Sequence, residues 1–128
     1  CALPISLNDI EHRILRPIWK DKRTHYALNC ASLGCPNLLP QAFTYLNTES
    51  LLEQGAFDYI NHPRGVKIQG ENLILSKIYE WYQADFGGNE EGVIKHLQRY
   101  STNKKLKYLH ADDLEIEYQY NWRLNSEK

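Results

Sequence analysis

The sequence is poor in several features, and each shortage excludes a class of protein. Lys and Arg number 15 against 16 Asp and Glu, for a net charge of −1, so the chain lacks the basic excess of an electrostatic nucleic-acid binder. No apolar run approaches the ~20 residues that span a bilayer, so we expect no membrane span. Neither an internal repeat nor a low-complexity linker is visible, which leaves a globular domain as the simplest class.

Methionine is absent altogether, including at the first position. The opening residues, Cys1-Ala-Leu-Pro-Ile5, resemble the translated end of a sequencing adapter. We therefore expect residues 1–5 to be non-native and the N-terminal part of the domain to be missing. Cys1 is set aside for that reason, and the remaining cysteines, Cys30 and Cys35, are too few to indicate a redox compartment.

What the chain does contain is enough for a single folded domain over residues 1–128. Hydrophobic residues make up 42% of the sequence, which is typical of a globular protein rather than of a disordered one. A chain of this length can build a hydrophobic core without disulfides or metals to hold it together.

Apolar residues at helical spacing, with capping residues in front of them, predict most of the secondary structure. Ser6 and Asp9 form the pattern of a capping box before the first helix, and Pro17 is expected to end that helix. Breaks at Gly34 and at Gly87-Gly88 end later helices. The predicted helices cover residues 6–16, 21–31 and 49–61, a segment after Ser76, a segment after Asn89, and a short basic stretch at 104–109.

Two segments alternate apolar and polar residues, which is typical of strands with one buried face. Residues 66–75 predict a hairpin with a turn at Gly70, and residues 114–124 predict a C-terminal strand. Because an isolated hairpin is only marginally stable, we expect the two segments to form one small antiparallel sheet. The predicted fold class is α+β, with about five to six helices packed on that sheet.

Both remaining cysteines lie in one stretch, HYALNCASLGCP, which spans residues 25–36. If residues 21–31 form a regular helix, His25 and Cys30 lie about 140° apart around its axis, so they cannot pair as base and nucleophile. A catalytic cysteine would then need a histidine from another element, with His12 the first choice. The structural alternative is that Cys30 is a small buried hydrophobe beside Tyr26.

Cys35 follows the predicted helix, so we expect it to be the more accessible thiol. The alternative is a disulfide with Cys30, because a turn at Gly34 can bring the two Cα atoms within the ~4.4–6.8 Å that a bridge requires. The spacing does not match the C-x-x-C pair of a thioredoxin-type protein. A second Cys or His pair at the spacing of a zinc site is also missing, so we predict neither a metal nor another cofactor.

Two carboxylates interrupt apolar helical faces, which is costly unless each is paired. Glu11 falls inside the apolar arc of the first helix, and Asp85 falls inside that of the helix after Ser76. We expect a polar partner for both, and we expect Glu11 to be mostly buried beside a basic or histidine side chain. They are either buried ion pairs that fix the fold or acids that act in a cleft.

Three blocks of the sequence together resemble a known family. They are SLNDIEHRILRP from residue 6, DKRTHYALNCASLGCP from residue 21 and LSKIYEWYQADFGG from residue 75. In this order they are similar to the bacterial and plant family catalogued as domain of unknown function 547, over nearly all the chain from Ser6 onward. The resemblance implies importance, without a defined role, for Asp9, Glu11, His12, His25, Cys30, Cys35, Ser76, Lys77, Trp81, Asp85 and Phe86. One departure is His62, which stands where members of that family often have aspartate.

The resemblance also bears on location and partners. Plant members are fused to glutaredoxin-like, DEP or coiled-coil regions, so a redox label on those proteins can belong to the fused region. Bacterial relatives are often exported single-domain proteins, which implies a periplasmic or extracellular location with an export signal in the missing N-terminal part. A protein or peptide partner remains open, whereas the charge balance predicts no nucleic-acid partner.

The residues and the resemblance favour one candidate region, and two hypotheses describe it. Its candidate catalytic residues are Cys35, Cys30, His12, His25, Glu11 and Asp85. The first hypothesis is a thiol-dependent enzyme for acyl transfer on a peptide or amide, with a cysteine as nucleophile, a histidine as base and a carboxylate that orients it. The second is a non-catalytic binding module whose cysteines are packed or bridged. Fast alkylation of a cysteine near neutral pH would favour the enzyme.

Overall fold

The N-terminal helix begins where the capping box predicts. The computed structural model describes residues 4–111 and 115–126. Helix α1, Leu7–Asp9, is capped by Ser6, whose hydroxyl accepts a hydrogen bond from the Asp9 amide. It continues as a wider, π-type helix, Ile10–Trp19. The sequence predicted that Pro17 ends this helix, and that prediction is wrong, because Pro17 lies inside it. In an α-helix the proline ring would meet the carbonyl four residues earlier, and the wider turn changes that geometry.

Residues 21–31 are not a helix, and that sequence prediction is wrong. The carboxylate of Asp21 caps a short 3-10 turn, Lys22–Tyr26. Further along, the side chain of Asn29 accepts a hydrogen bond from the Ala31 amide and donates one to the carbonyl of Pro36. Asparagine side chains compete in this way with the backbone hydrogen bonds of a helix, and here they favour a loop.

Three further helices follow the sequence pattern closely. They are α2, Thr48–Ile60, α3, Lys77–Trp81, and α4, Glu90–Tyr100. Ser76 and Asn89 cap α3 and α4 through their side chains. Gly87 and Gly88 separate these two helices, with φ angles of 115° and 82° that favour glycine.

The number of helices is smaller than the sequence predicted. The described residues form four α-helical segments, α1 to α4, rather than five to six. The predicted helix at 104–109 is a single 3-10 turn, Leu106–Tyr108, and the residues after α3 form another, Gln83–Phe86. Short 3-10 turns of this kind commonly connect longer elements, because their poorer hydrogen-bond geometry limits their length.

The sheet contains three strands in the order β1, β2, β3. β1, Val66–Gln69, and β2, Asn72–Ser76, form the predicted antiparallel hairpin. β3, Glu115–Gln119, runs parallel to β2, with Ile116 opposite Leu73. The sheet is therefore mixed, and the prediction of an antiparallel sheet is wrong. The reason is the connection, since the chain crosses over through α3 and α4 and returns in the same direction, as parallel pairs require.

The C-terminal strand is also shorter than the predicted span of 114–124. Leu114 lies outside the described residues, and pairing with β2 ends at Gln119. The next residues turn to the loop that carries the cysteines, where Ser32 and Leu124 form an isolated antiparallel bridge. The alternation itself is confirmed, because Ile116 and Tyr118 are half-buried while their neighbours in β3 are exposed.

One hydrophobic core joins the helices to the sheet, and the first 3-10 turn contributes to it. Tyr26, Tyr79 and Phe86 bring aromatic rings into this core, and each is almost completely buried. Burial of such apolar surface is the main favourable contribution to folding. Because Tyr26 anchors the 3-10 turn in the core, the neighbouring His25 is held in a defined position.

The structure bears on the N-terminal residues and on the expected absence of a membrane span. Pro4 and Ile5 are exposed, while residues 1–3 lie outside the described part, so the non-native origin of residues 1–5 stays a prediction. None of the helices in residues 4–111 and 115–126 combines the length and the apolar character that crossing a bilayer requires.

Candidate functional site

The centre of the candidate site is a hydrogen bond between His25 and Asp85. The Nε2 atom of His25 lies 2.9 Å from Oδ2 of Asp85, although the two residues are 60 positions apart in the sequence. His25 belongs to the 3-10 turn Lys22–Tyr26, and Asp85 belongs to the one at Gln83–Phe86. Two short turns, each anchored in the core by an aromatic residue, thus bring a base and a carboxylate together.

Arg16 completes the environment of this carboxylate. Its Nε donates a hydrogen bond of 2.6 Å to the same Oδ2 atom of Asp85, and its Nη1 lies 3.0 Å from Nδ1 of His12. The guanidinium also lies over the ring of Tyr82, 4.8 Å from the ring centre. The N-terminal π-type helix therefore reaches the site through Arg16, a residue that the sequence analysis did not select.

The pKa values of the pair follow from these contacts. Burial alone would raise the pKa of the Asp85 carboxyl, but hydrogen bonds from Arg16 and His25 more than offset it and leave that pKa below its usual range. Burial lowers the pKa of His25, and the opposing effect of Asp85 does not cancel this. At neutral pH, Asp85 is therefore ionised and His25 is a neutral imidazole.

The tautomer of His25 follows from the same contacts. Because ionised Asp85 only accepts hydrogen bonds, Nε2 of His25 carries the proton and Nδ1 is an acceptor. The described residues supply no hydrogen bond to Nδ1. The ring itself is stacked on Tyr82, with 4.2 Å between ring centres, and lies near Phe86. His25 is thus oriented on one side and has an unused acceptor on the other, as a general base requires.

Arg23 holds the 3-10 turn of His25 in place by ionic contacts. Its guanidinium donates hydrogen bonds to Asp21 in the same segment and to Glu49 and Glu53 of α2. The side chain is only 14% exposed, whereas Glu49 is 77% exposed. The contacts with Asp21 and Glu53 are therefore the ones that stabilise most, and they tie the turn to α2.

The two cysteines form a disulfide bridge, which is one of the two arrangements that their spacing in the sequence allowed. Their Cα atoms are 6.0 Å apart, within the usual range for a bridge. Cys35 is only 3% exposed, whereas Cys30 is exposed. The prediction that Cys35 is the more accessible sulfur and Cys30 the packed one is therefore wrong. Its basis was the helix at 21–31, and the loop that replaces it turns Cys30 outward.

Tyr120 lies beside both sulfur atoms. Its hydroxyl oxygen is 3.0 Å from Sγ of Cys30 and 3.3 Å from Sγ of Cys35. The same hydroxyl lies 2.9 Å from Oγ of Ser32, and the amide of Cys30 donates a hydrogen bond of 2.9 Å to Sγ of Cys35. Tyr120 comes from the predicted C-terminal strand, but only its tertiary position shows that it belongs to the site.

The loop that carries the bridge is fastened to the C-terminal segment by backbone hydrogen bonds. The amides of Leu33 and Gly34 donate to the carbonyls of Arg123 and Asn121. In return, the amide of Asn125 donates to the carbonyl of Ala31. A separate bond runs from the Tyr59 hydroxyl of α2 to the carbonyl of Gly34. The position of the two cysteines therefore does not depend on the disulfide alone.

A cavity of about 650 Å³ joins the bridge to His25. Glu11, His25, Cys30 and Cys35 all contribute to its wall. The rest of the wall is mostly apolar or aromatic, from Leu7, Ile10, Ala27, Leu28, Pro36, Leu38, Ile78, Trp81, Tyr82, Tyr120 and Trp122, with Asn29 as the other polar residue. A concave, largely apolar site with a few convergent polar groups is the usual form of a small-molecule or peptide site.

The other two candidate residues do not line this cavity. His12 and Asp85 line a neighbouring cavity of about 460 Å³, together with Arg16, Lys20 and Lys22. Asp85 therefore contacts His25 without lining the cavity that contains the cystine. His12 contacts Arg16, and no described hydrogen bond joins it to a cysteine, so its role as a catalytic base stays a prediction.

Glu11 is mostly buried, as predicted, but its contact with a histidine is longer than a hydrogen bond. Its side chain is 23% exposed, and Oε1 lies 3.9 Å from Nε2 of His12. Its carboxylate also lies beside the hydroxyl of Tyr82, where burial raises the pKa of the phenol and Glu11 raises it further. Glu11 is thus a mostly buried residue of the cavity wall, with a long contact to His12 rather than a hydrogen-bonded ion pair.

No metal centre is evident in this part of the molecule. Across the described ranges, His, Cys, Asp and Glu side chains do not gather in groups of three or more that could hold an ion. The bridged sulfurs are also unavailable as thiolate ligands. The chemistry that the described geometry offers is that of a base, its orienting acid and a cystine.

Comparison with known families gives one match. The model of the family described as "Protein of unknown function, DUF547" matches residues 2–60. This match shows that residues 2–60 are similar to the DUF547 family. It includes five of the six candidate residues, namely Glu11, His12, His25, Cys30 and Cys35, whereas Asp85 lies beyond it. The DUF547 match thus covers less of the chain than the sequence resemblance suggested. No significant match was found among curated proteins or among solved structures.

Proposed function

We propose that this chain is a thiol-dependent enzyme that transfers an acyl group from a peptide or amide, with Cys30 as nucleophile after the bridge is reduced. The observation that carries the proposal is the position of His25, which is oriented by Asp85 and lies in the wall of the same cavity as the cystine. A nucleophile, a base and a third group that orients the base form the general pattern of covalent catalysis.

Cys30 suits the role of nucleophile better than Cys35. It is exposed at the cavity, whereas Cys35 is almost completely buried. A substrate carbonyl must approach the sulfur closely and in line with its lone pair, which the burial of Cys35 opposes. This assignment reverses the order of preference that the sequence suggested.

The proposed role of His25 is to accept the thiol proton at Nδ1. Asp85 keeps the proton on Nε2 and stabilises the imidazolium that forms, as the carboxylate does in related triads. The Cys30 thiolate then bonds to the acyl carbon, the C–N bond breaks, and the amine leaves with the proton from His25. Water attacks the resulting thioester through the same base, which releases the acid and regenerates the thiol.

Tyr120 is the proposed donor to the negative charge that develops on the carbonyl oxygen. Its hydroxyl lies 3.0 Å from Sγ of Cys30, so a carbonyl carbon bonded to that sulfur places its oxygen within reach of the phenol. Donors fixed in advance at this position typically contribute a factor of about 10²–10³ in rate.

Acylation by a simple activated ester tests this proposal. The full chain is reduced with a phosphine, mixed with 4-nitrophenyl acetate, and followed by nitrophenolate release and by mass spectrometry of its peptides. We expect an acetyl group on Cys30, little acetylation of Cys35, and almost none on Cys30 in a His25→Gln variant. Cys35→Ser is the matched control, because it keeps Cys30 and needs no reduction.

Two outcomes would contradict the proposal that the chain is an acyl-transfer enzyme. One is acetylation spread over surface lysines with Cys30 unmodified in a folded, reduced protein. The other is acetylation of Cys30 at the same rate in wild type and in His25→Gln, because the histidine would then not act as a base. Circular dichroism of each variant shows that it is folded.

The alternative is a binding module, and the aromatic wall of the cavity favours it. Trp81, Tyr120 and Trp122 lie against one another, with ring centres 4.7–5.4 Å apart, and the two tryptophans are exposed. Such rings provide large apolar contact areas for a peptide or small molecule. In that case ligand binding persists with the bridge intact and in His25→Gln, whereas Trp81→Ala weakens it.

A further inference from the structure

The two sulfurs of the bridge differ in the access that they offer to another thiol. Cys30 is exposed on the cavity side, and Cys35 is 3% exposed. A thiolate breaks a disulfide by attacking one sulfur and expelling the other, so the outcome depends on which sulfur it can reach. Access therefore favours attack at Cys30, with Cys35 as the leaving group.

The surroundings of Cys35 are also those of a good leaving group. Its Sγ accepts a hydrogen bond of 2.9 Å from the amide of Cys30 and lies 3.3 Å from the hydroxyl of Tyr120. Donors of this kind stabilise a thiolate, and a leaving thiol of lower pKa departs faster. The amide donor is in place before the bridge opens, and the Tyr120 hydroxyl, which is also 3.0 Å from Sγ of Cys30, is within reach of the Cys35 thiolate once it forms.

Contacts that do not involve sulfur also anchor the loop. The backbone hydrogen bonds from Leu33 and Gly34 to the C-terminal segment, and the one from Asn125 to Ala31, do not involve sulfur. Gly34 is also held by the Tyr59 hydroxyl. We therefore expect the two thiols to stay close to each other in the reduced protein, so that Cys35 can attack a mixed disulfide formed on Cys30.

We propose that Cys30–Cys35 is an exchangeable bridge, in which a small thiol such as glutathione attacks Cys30 and Cys35 leaves. In the first step the incoming thiolate bonds to Sγ of Cys30, the bond between the two cysteines breaks, and Cys35 departs as a thiolate that takes up a proton. A second thiol then attacks the mixed disulfide, which releases glutathione disulfide and the Cys30 thiol. Two thiols are oxidised and one bridge is reduced.

The exchange has a consequence for the acyl-transfer site. If Cys30 is the nucleophile there, the oxidised chain is inactive and a thiol reductant activates it, whereas glutathione bound to Cys30 blocks it. This consequence rests on the proposed function, but the exchange itself does not. The covalent state of the sulfurs can be measured whether or not the chain transfers acyl groups.

Mass spectrometry of the trapped intermediate tests the proposal. The oxidised full chain is mixed with reduced glutathione under native conditions, quenched in acid with an alkylating agent, and digested. We expect the mixed disulfide on Cys30, with Cys35 alkylated, in at least a tenfold excess over the reverse arrangement. A Tyr120→Phe variant keeps the ring and loses the hydroxyl, and we expect it to react several times more slowly.

Single-cysteine variants provide the matched comparison. In Cys35→Ser, we expect the Cys30 thiol to react with glutathione disulfide at least tenfold faster than the Cys35 thiol does in Cys30→Ser. Glutathione found mainly on Cys35 would overturn the proposal. So would a bridge that reacts with glutathione only at denaturant concentrations that unfold the chain. Acetylation by 4-nitrophenyl acetate is scored separately, so failure of the enzyme proposal is distinguishable from failure of the exchange.

Discussion

Gly34 lies directly against the ring of Tyr120, so closely that a Cβ atom at residue 34 would be 2.9 Å from Cε2 and Cζ of that ring. Real Cβ atoms do not approach this closely, and the backbone amide of Asn121 closes the other side at 3.0 Å. The glycine therefore determines how near the Tyr120 hydroxyl comes to the two sulfurs.

We expect Gly34→Ala to displace Tyr120 and to destabilise the chain by about 1–3 kcal/mol, as overpacking usually does. Urea unfolding measures the loss, and glutathione should reduce the displaced site more slowly. Gly55→Ala is the control, because its Cβ would have only ordinary contacts of 3.4 Å or more. In the middle of α2 that change should stabilise by up to ~1 kcal/mol. Equal effects at the two positions would contradict the close contact.

Removal of the Asp85 charge should lower the pKa of His25 further. Burial already lowers that pKa, and the hydrogen bond and charge of Asp85 oppose the effect. In Asp85→Asn this opposition weakens, so the ring should stay neutral to a lower pH than in wild type. Nuclear magnetic resonance of the imidazole nitrogens measures the titration. His62, which titrates at a distance from Asp85, should be unchanged, and a rise in the pKa of His25 would contradict the pairing.

The buried His96 should make the chain less stable in mild acid. Burial lowers its pKa to about 3, while in the unfolded chain the ordinary value is ~6.5. The unfolded state therefore binds more protons as the pH falls through this interval, and stability falls with it. Each such proton contributes a slope of ~1.4 kcal/mol per pH unit. The carboxylates protonate mainly below ~pH 4.5. A loss of stability above that pH is therefore caused by histidines.

His96→Phe tests this pH dependence. The variant keeps an aromatic ring beside Tyr26 but loses the 2.7 Å hydrogen bond between the two side chains. We expect it to be less stable than wild type at pH 7 and to lose less stability between pH 6.5 and 4.5. The variant should still lose some stability as the pH falls, because the pKa of His25 is also lowered. Identical slopes in wild type and variant would contradict the argument.

Arg23 should matter far more to stability than a surface arginine. Arg23→Ala leaves Asp21 and Glu53 without contacts of 2.6 Å, and hydrogen bonds to charged groups are worth about 1.5–3 kcal/mol each. We expect a loss of roughly that size in urea unfolding, with a weaker His25–Asp85 pair because the turn is released from α2. Arg13→Ala is the matched control. Arg13 is 78% exposed and pairs with Asp9 on its own helix, so its removal should cost at most ~0.5 kcal/mol.

Much of the secondary structure could be predicted from the sequence because it depends on neighbouring residues. The caps at Ser76 and Asn89, the break at Gly87-Gly88 and the hairpin at 66–75 are local patterns, and the structure confirms each. The largest exception was the stretch after Asp21. There Asn29 and the C-terminal segment take up the backbone hydrogen bonds that a helix would have used.

The sequence by itself determined the α+β class, the capped helices and the set of residue types available for chemistry. Only the tertiary structure decided that β3 runs parallel to β2, that Cys30 rather than Cys35 faces outward, and that His25 meets Asp85. The physical reason is the separation in sequence of the residues that interact. Helical periodicity and capping act over three or four residues, whereas the His25–Asp85 and cystine–Tyr120 contacts join segments 60 or more residues apart. Their geometry is set by how the core packs, which no local pattern records.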